Sequence, residues 1–247
     1  MRFTSGHPDA KIEIHPRLIR HPGLIELALG GPLGHALALG GASFLHGAAL
    51  VVHGLPILAL GEAGVGKSTV AAAAIAAGGA VVSDDSLVLY PTASGGLAVR
   101  TLRRNLFLRE GSLRVLPRAL RLLLRRVGPS TDFRWELDRQ AAASVFRPTL
   151  EPAVLCVLRQ DRRLKGFRIA PLSQASALTS LLAANGSPHL LHPAFPGEQQ
   201  RLLDLWSRLT SRIPAFELRV GSALLDSPRD LLGDIVTRLR ERITEAS

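Results

Sequence analysis

The chain has 247 residues, of which 47% are hydrophobic and 20% charged, and a formal net charge of +10. This balance excludes an intrinsically disordered chain and predicts one globular core. The single cysteine, Cys156, excludes an internal disulfide framework and a cysteine-based zinc site, and is compatible with a reducing compartment.

A stretch without charged side chains runs from Leu27 to Gly61 and is long enough to cross a bilayer. Eight Gly, two Pro and three His divide it into short apolar runs, as turns divide strands. We therefore expect buried strands there and no membrane partner. The first residues lack the apolar segment of a signal peptide, so a cytoplasmic location is expected.

Strand and helix patterns follow one another along the chain. The predicted strands are Lys11–Ile14, Leu24–Leu29, Ala48–Val52, Leu55–Leu60, Ala80–Ser83, Ser86–Tyr90, Leu97–Leu102, Ala153–Leu158, Leu164–Ala170 and Ala215–Val220. The predicted helices are Val70–Ala77, Leu113–Val127, Ser173–Ala184, Glu198–Ile213 and Pro228–Ile243, and Pro188–Gly197 is expected to be irregular. This mixture predicts an α/β fold, as a single domain over residues 1–247 with a helical part after about residue 173.

Residues 61–68 fit the phosphate-loop pattern G-x-x-x-x-G-K-[ST] at every fixed position, between a predicted strand and a predicted helix. Glycines let backbone N–H groups turn toward one anion, and the helix N-terminus favours negative charge. Lys67 would reach the β- and γ-phosphates, and the Ser68 hydroxyl would bind Mg²⁺. The predicted nucleotide-binding residues are Gly61, Glu62, Ala63, Gly64, Val65, Gly66, Lys67, Ser68 and Thr69. The motif predicts a bound nucleoside triphosphate, ATP or GTP, without selecting the reaction.

Two carboxylates, Asp84 and Asp85, end the first predicted strand after the loop helix. One carboxylate there can hold Mg²⁺, and its neighbour can accept a proton from an attacking hydroxyl. His46-Gly47 lies fifteen residues before Gly61. By itself, a histidine in such a position is more often structural than catalytic.

The stretch Leu45–Asp85 resembles the catalytic core of HPr kinase/phosphorylase. The resemblance consists of a His-Gly, a two-strand lead-in, a G-x-x-G-x-G-K-S loop, a helix and a strand ending in Asp-Asp. It implies a mixed sheet with flanking helices, akin to the nucleotide domain of phosphoenolpyruvate carboxykinase, and transfer of phosphate to a serine of a protein. By this resemblance, Asp84 would be the base, assisted by His46. Asp85 and Ser68 would serve Mg²⁺, and Lys67 the phosphates.

The sequence also departs from this family. Thr69 stands where the family usually has Glu, and the glycine-rich signature on which phosphorylase activity depends is not found. With 45 residues before His46, the separate N-terminal domain of the family is expected to be absent. The chain is therefore similar to compact relatives that phosphorylate serine on peptide precursors. The family's subunit rings make a homo-oligomer compatible with the resemblance.

Nine arginines and one acidic residue, Glu110, lie between Arg100 and Arg126. The arginines are Arg100, Arg103, Arg104, Arg109, Arg114, Arg118, Arg121, Arg125 and Arg126. They favour either a solvated surface or a docking site for an acidic peptide or nucleotide phosphates. Few aromatic residues accompany them, which disfavours nucleic acid.

The favoured hypothesis is an ATP- and Mg²⁺-dependent kinase acting on a serine of a peptide or protein. Two alternatives stay open at this point. One is a small-molecule kinase of the phosphate-loop class. The other is a regulator that binds ATP and transfers nothing.

Overall fold

A computed structural model describes residues 33–34, 36–102, 105–128, 133–161, 163–185 and 197–246. Its strands are β1 (Ser43–His46), β2 (Ala48–Val52), β3 (Leu55–Leu60), β4 (Ala80–Ser83), β5 (Ser86–Pro91), β6 (Leu97–Thr101), β7 (Leu106–Leu108), β8 (Leu124–Val127), β9 (Arg134–Leu137), β10 (Thr149–Leu150), β11 (Val154–Gln160), β12 (Phe167–Leu172) and β13 (Ala215–Val220). Its helices are α1 (Lys67–Ala76), α2 (Glu110–Leu113), α3 (Arg118–Arg121), α4 (Gln174–Asn185), α5 (Glu198–Arg212), α6 (Ala223–Asp226) and α7 (Pro228–Ala246), with a 3-10 turn at Ala143–Val145. The predicted strands Lys11–Ile14 and Leu24–Leu29, and most of the segment Pro188–Gly197, lie outside the described residues.

A mixed six-stranded sheet in the order β12-β13-β11-β3-β2-β4 forms the centre of the fold. Strand β11 runs parallel to both β3 and β13, whereas β2 is antiparallel to both β3 and β4. Strand β4 therefore runs in the same direction as β3. As a result, the carboxyl ends of β3, β4, β11 and β13 lie at one edge of the sheet, where open α/β sheets bind ligands.

The central strands are apolar because both of their faces are covered. Residues alternate along β3: Ile57 and Ala59 pack into one core, and Leu58 and Leu60 into the other. The first core includes α1 and α7, and the second includes α4, α5 and the sheet β1-β5-β6-β10. Four fully buried alanines of α1, Ala71–Ala74, let that helix approach the sheet closely. This packing places the start of α1 at the end of β3.

The predicted helix Leu113–Val127 is wrong. The helix α2 ends at Leu113, and the rest of this segment contains the short helix α3 and the strand β8. Pro117 adopts φ −53° and ψ 143°, an extended conformation that interrupts a helix. Strand β8 pairs instead with β9, where Arg125 stands opposite Glu136 and Nη2 lies 2.9 Å from Oε2. Tertiary pairing therefore overrides the helical spacing of the leucines, and β7, β9 and β8 form a small sheet.

Most other predicted elements agree with the structure, including identical bounds for β2, β3, β4 and β13. The uncharged stretch ending at Gly61 contains β1, β2 and β3, as expected, although residues 36–39 are helical. Among the described helices, none is long and apolar enough to cross a membrane.

Candidate phosphate-binding and catalytic site

The phosphate-loop sequence occupies the turn between β3 and α1, which begins at Lys67. Three glycines of this turn have positive φ: 153° at Gly61, 82° at Gly64 and 107° at Gly66. Residues that carry a Cβ rarely adopt positive φ, so the glycines of the motif stand at the positions where this turn requires glycine. The first N–H groups of α1 have no partner within the helix, which makes its N-terminus suited to bind phosphate.

Backbone carbonyl groups of the loop hold the side chain of Lys67 in place. Its Nζ donates hydrogen bonds to the carbonyl oxygens of Gly61 at 2.8 Å and of Glu62 at 3.0 Å. Burial lowers the pKa of the Lys67 ammonium below its usual range, while the charges of Asp85 and Asp84 oppose that shift. The ammonium therefore lies within reach of an anion bound by the loop.

Asp84 and Asp85 follow β4 at the same edge of the sheet. Asp84 is 3% exposed, and Asp85 is partly exposed. The hydroxyl of Ser86 donates a 2.9 Å hydrogen bond to Asp85 Oδ2. His46 Nδ1 lies 3.1 Å from Asp85 Oδ1. The imidazole thus contacts the carboxylate that the resemblance assigned to the metal.

His46 lies at the crossing where the chain passes from the four-stranded sheet into the six-stranded sheet. His46 ends β1, opposite Ser86 of β5, and Ala48 begins β2. Gly47 lies between them and donates a 2.9 Å hydrogen bond from its N–H to the Asp85 carbonyl. A Cβ on Gly47 would come within 3.0 Å of the Ala59 carbonyl oxygen. Close backbone approach at this crossing therefore favours glycine at position 47.

Asn185, at the end of α4, is a supporting residue that the sequence did not indicate. Its Oδ1 accepts a hydrogen bond from the backbone N–H of His46, and its Nδ2 donates to Leu181 O at 2.8 Å. Its side chain is fully enclosed, at 1% exposure. It lies 139 residues from His46 in the chain, so no local pattern could have indicated the contact.

A cavity of about 220 Å³, which we call the phosphate cavity, brings most of the predicted site together. The predicted residues that line it are His46, Ala63, Gly64, Gly66, Lys67, Ser68, Thr69, Asp84 and Asp85. Three predicted loop residues are placed differently. Gly61 and Glu62 supply the carbonyls that bind Lys67, and Val65 lines a neighbouring cavity.

A further wall of the phosphate cavity comes from four residues that lie between positions 107 and 134 and are not among the predicted site residues. It consists of Phe107, Arg109, Ser112 and Arg134. The Ser112 hydroxyl lies 2.9 Å from the Thr69 hydroxyl, which links this wall to α1. Both arginines are exposed. Of these four residues, only Arg109 belonged to the arginine cluster noted in the sequence as a candidate docking site.

The donors at this edge fit a magnesium ion completed by phosphate oxygens. Ser68, Asp84 and Asp85 line the phosphate cavity, and hydroxyl and carboxylate oxygens are ligands that Mg²⁺ accepts. The described residues contain no group of three or more His, Cys, Asp or Glu arranged for a metal. Two protein ligands suffice for Mg²⁺ bound together with nucleotide phosphates.

No protein-family model and no curated protein matches the sequence. Among solved structures, the chain is similar to the Hpr(Ser) kinase/phosphatase from Coxiella burnetii, with 12% sequence identity and a TM-score of 0.39. The similarity covers 80% of this chain and 99% of that one. It is a distant structural relationship.

Proposed function

We propose that the protein is an ATP- and Mg²⁺-dependent kinase that transfers the γ-phosphoryl group to a serine hydroxyl of a peptide or protein. One observation carries the proposal. The loop lysine, the loop serine and two adjacent carboxylates, one of them buried, line a single cavity at the carboxyl ends of the central strands. Phosphoryl transfer depends on positioning and on charge stabilisation, and this arrangement offers groups for both.

The phosphate end of the nucleotide binds at the loop and at the N-terminus of α1. Lys67 exchanges its bonds with the Gly61 and Glu62 carbonyls for bonds with phosphate oxygens. Ser68 and Asp85 would hold Mg²⁺, which would supply positive charge against the phosphates. His46 acts as a positioning residue, because its imidazole contacts Asp85.

Asp84 acts as the general base. The serine hydroxyl oxygen forms a bond to the γ-phosphorus while the bond from that phosphorus to the β–γ bridging oxygen breaks. The hydroxyl proton moves to Asp84, and ADP leaves with the bridging oxygen. A base of this kind contributes about 10²- to 10⁴-fold to the rate.

A peptide or protein acceptor is supported by basic side chains in the phosphate cavity and on α3. Arg109 and Arg134 line the phosphate cavity, and Arg118 and Arg121 are exposed on α3, which follows Arg109 in the chain. Leu122, next to them, is 81% exposed. Exposed guanidinium groups around an apolar side chain suit a peptide that carries acidic residues near its serine.

The test uses γ-labelled ATP and Mg²⁺. The acceptors are acidic and basic serine peptides and HPr, the phosphocarrier protein after which the family that the sequence resembles is named. Wild type is expected to label serine, and Asp84→Asn to lose about 10²-fold or more in rate while binding ADP normally. Asp204→Asn, at an exposed position on α5, is the matched control and should behave as wild type.

Each other outcome points elsewhere. Transfer by Asp84→Asn at the wild-type rate excludes Asp84 as the base. Label on a small molecule identifies a small-molecule kinase. ATP binding without transfer to any of these acceptors leaves an untested substrate or a regulator, and shifts the assignment toward the regulator.

The docking surface is tested separately with Arg118→Glu combined with Arg121→Glu. Arg125 is left intact because it pairs with Glu136 and lies 3.8 Å from Asp138. We expect weaker binding of the acidic peptide and unchanged binding of ADP. The control is Arg201→Glu combined with Arg208→Glu, a charge reversal at two exposed positions on α5. Unchanged peptide affinity in the α3 variant would contradict the assignment of this surface.

A further inference from the structure

We propose that a second cavity beside the phosphate loop binds the purine base of the nucleotide. This nucleoside cavity has a volume of about 360 Å³ and is lined mainly by aliphatic side chains. Its apolar lining comes from Val65, Val70, Leu158, Val220, Leu224 and Leu225. The inference depends on the proposed function only in that the chain binds a nucleoside triphosphate.

The position of the nucleoside cavity relative to the phosphate cavity fits the two ends of one ligand. Gly66 and Thr69 line both cavities, so a nucleotide with its phosphates in the loop passes directly from one into the other. The nucleoside cavity also lies at the carboxyl ends of two parallel strands, between the end of β11 and the turn from β13 into α6. Ligands of open α/β sheets occupy such positions.

The chemistry of the walls suits a flat heterocycle with polar edges. Aliphatic side chains can cover the two faces of the base, and the amide of Gln160 offers both a donor and an acceptor. Arg159 also lines the cavity. Its Nη1 lies 3.4 Å from Glu62 Oε1, and its Nε lies 3.9 Å from Glu217 Oε2. A guanidinium held in this way can stack on an aromatic ring.

The floor of the nucleoside cavity is tightly connected. The N–H of Gly221 donates a 2.9 Å hydrogen bond to the carbonyl of Gly166, and a Cβ at Gly221 would overlap the carbonyl of Leu164. The N–H of Asp161 donates to Val220 O at 3.1 Å. The cavity therefore exists before a ligand arrives, which limits the entropy lost on binding.

The same geometry argues against an acceptor side chain in this cavity. Asp84, Asp85 and His46 line the phosphate cavity and not the nucleoside cavity. An acceptor hydroxyl has to meet the carboxylates on their own side of the loop. The nucleoside cavity is thus left for the non-reacting end of the nucleotide.

The experiment compares binding of Mg²⁺ complexes of ATP, GTP, CTP and inorganic tripolyphosphate, without acceptor, by calorimetry. Wild type is expected to bind ATP or GTP about tenfold or more tightly than tripolyphosphate, which has no base to bury. CTP should bind less tightly than ATP or GTP because its smaller ring covers less of the apolar lining. Ser222→Trp places a large ring at the exposed rim of the cavity. It should remove the purine preference while tripolyphosphate affinity stays within about twofold. Ser211→Trp, at an exposed position on α5, is the control.

Gln160→Ala provides a milder change at an exposed position and should weaken purine nucleotide binding about threefold or more, again without affecting tripolyphosphate. The assignment is overturned if wild type binds tripolyphosphate as tightly as ATP and GTP. It is also overturned if Ser222→Trp keeps full purine affinity, or loses ATP and tripolyphosphate equally. The binding experiment contains no acceptor, so its outcome does not depend on phosphoryl transfer. If the transfer assay yields no phosphoserine, the kinase proposal is contradicted and the assignment of the nucleoside cavity still stands.

Discussion

Replacing Gly61 with Ala tests whether the first glycine of the phosphate loop is required by geometry. Gly61 has φ +153°, and a Cβ there would lie 2.7 Å from Val65 Cγ1 and 3.1 Å from the carbonyl oxygen of Leu158. The Val65 methyl can rotate away, but the Leu158 carbonyl belongs to β11, a central strand of the sheet. The loop therefore has to move away from β11.

The expected cost combines backbone strain and steric overlap. A non-glycine residue in this region of φ costs about 1–3 kcal/mol. Carbon atoms prefer separations of about 3.5–4.0 Å, so the Val65 contact is about 1 Å too short, and such overpacking costs about 1–3 kcal/mol. Rotation of Val65 relieves part of this cost, so we expect a net loss of about 3 kcal/mol in the free energy of unfolding. At roughly 2–4 °C per kcal/mol for a chain of this size, Tm falls by about 6–12 °C.

Thermal unfolding without nucleotide measures this effect, and two glycines serve as controls. Gly64 has φ +82° but nothing within 4 Å of a Cβ, so Gly64→Ala should cost only about 1–2 kcal/mol of strain. Gly111, on α2, also has free space, and Gly111→Ala should be neutral or stabilising by up to about 1 kcal/mol. Equal Tm values for Gly61→Ala and Gly64→Ala would refute the steric argument.

Four further predictions concern three buried groups, Lys67, Cys156 and Trp206. Burial lowers the pKa of Lys67 below 10.5, and phosphate binding needs the charged form of this side chain. ADP affinity should therefore fall as pH rises through the lowered pKa. Calorimetry in that pH range should detect proton uptake when ADP binds to wild type, and no proton uptake when it binds to Lys67→Met. The same shift penalises the folded state of wild type at neutral pH, and the penalty should diminish as pH rises toward 10.5, which urea unfolding at several pH values would reveal. Burial raises the pKa of the Cys156 thiol to about 12, so thiol reagents should label it only as fast as the protein unfolds, and rapid labelling of native protein would contradict its burial. Trp206 is 1% exposed and donates a 3.0 Å hydrogen bond to Ser43, so Trp206→Phe should cost about 2 kcal/mol, and an unchanged Tm would show that this bond and volume are dispensable.

The phosphate loop is the part of the site that local sequence determines. Its glycines stand where the backbone needs positive φ, and Lys67 begins the helix that follows, as the motif predicts. These features depend on residues close together in the chain. The apolar runs of β2 and β3 also predict these strands with their observed bounds, because strands covered on both faces carry a continuous apolar signal.

The tertiary structure alone decided which residues meet across the loop. Asn185 reaches His46, and Arg134 reaches the phosphate cavity, through strand pairing and helix packing between segments far apart in sequence. The helix predicted over Leu113–Val127 failed for the same reason, since pairing of β8 with β9 outweighs local periodicity. The nucleoside cavity likewise exists only because β3, β11 and β13 run parallel and end together. Single-residue propensities carry no information about such an order of strands, whereas the free energy of burying both faces of the sheet depends on it.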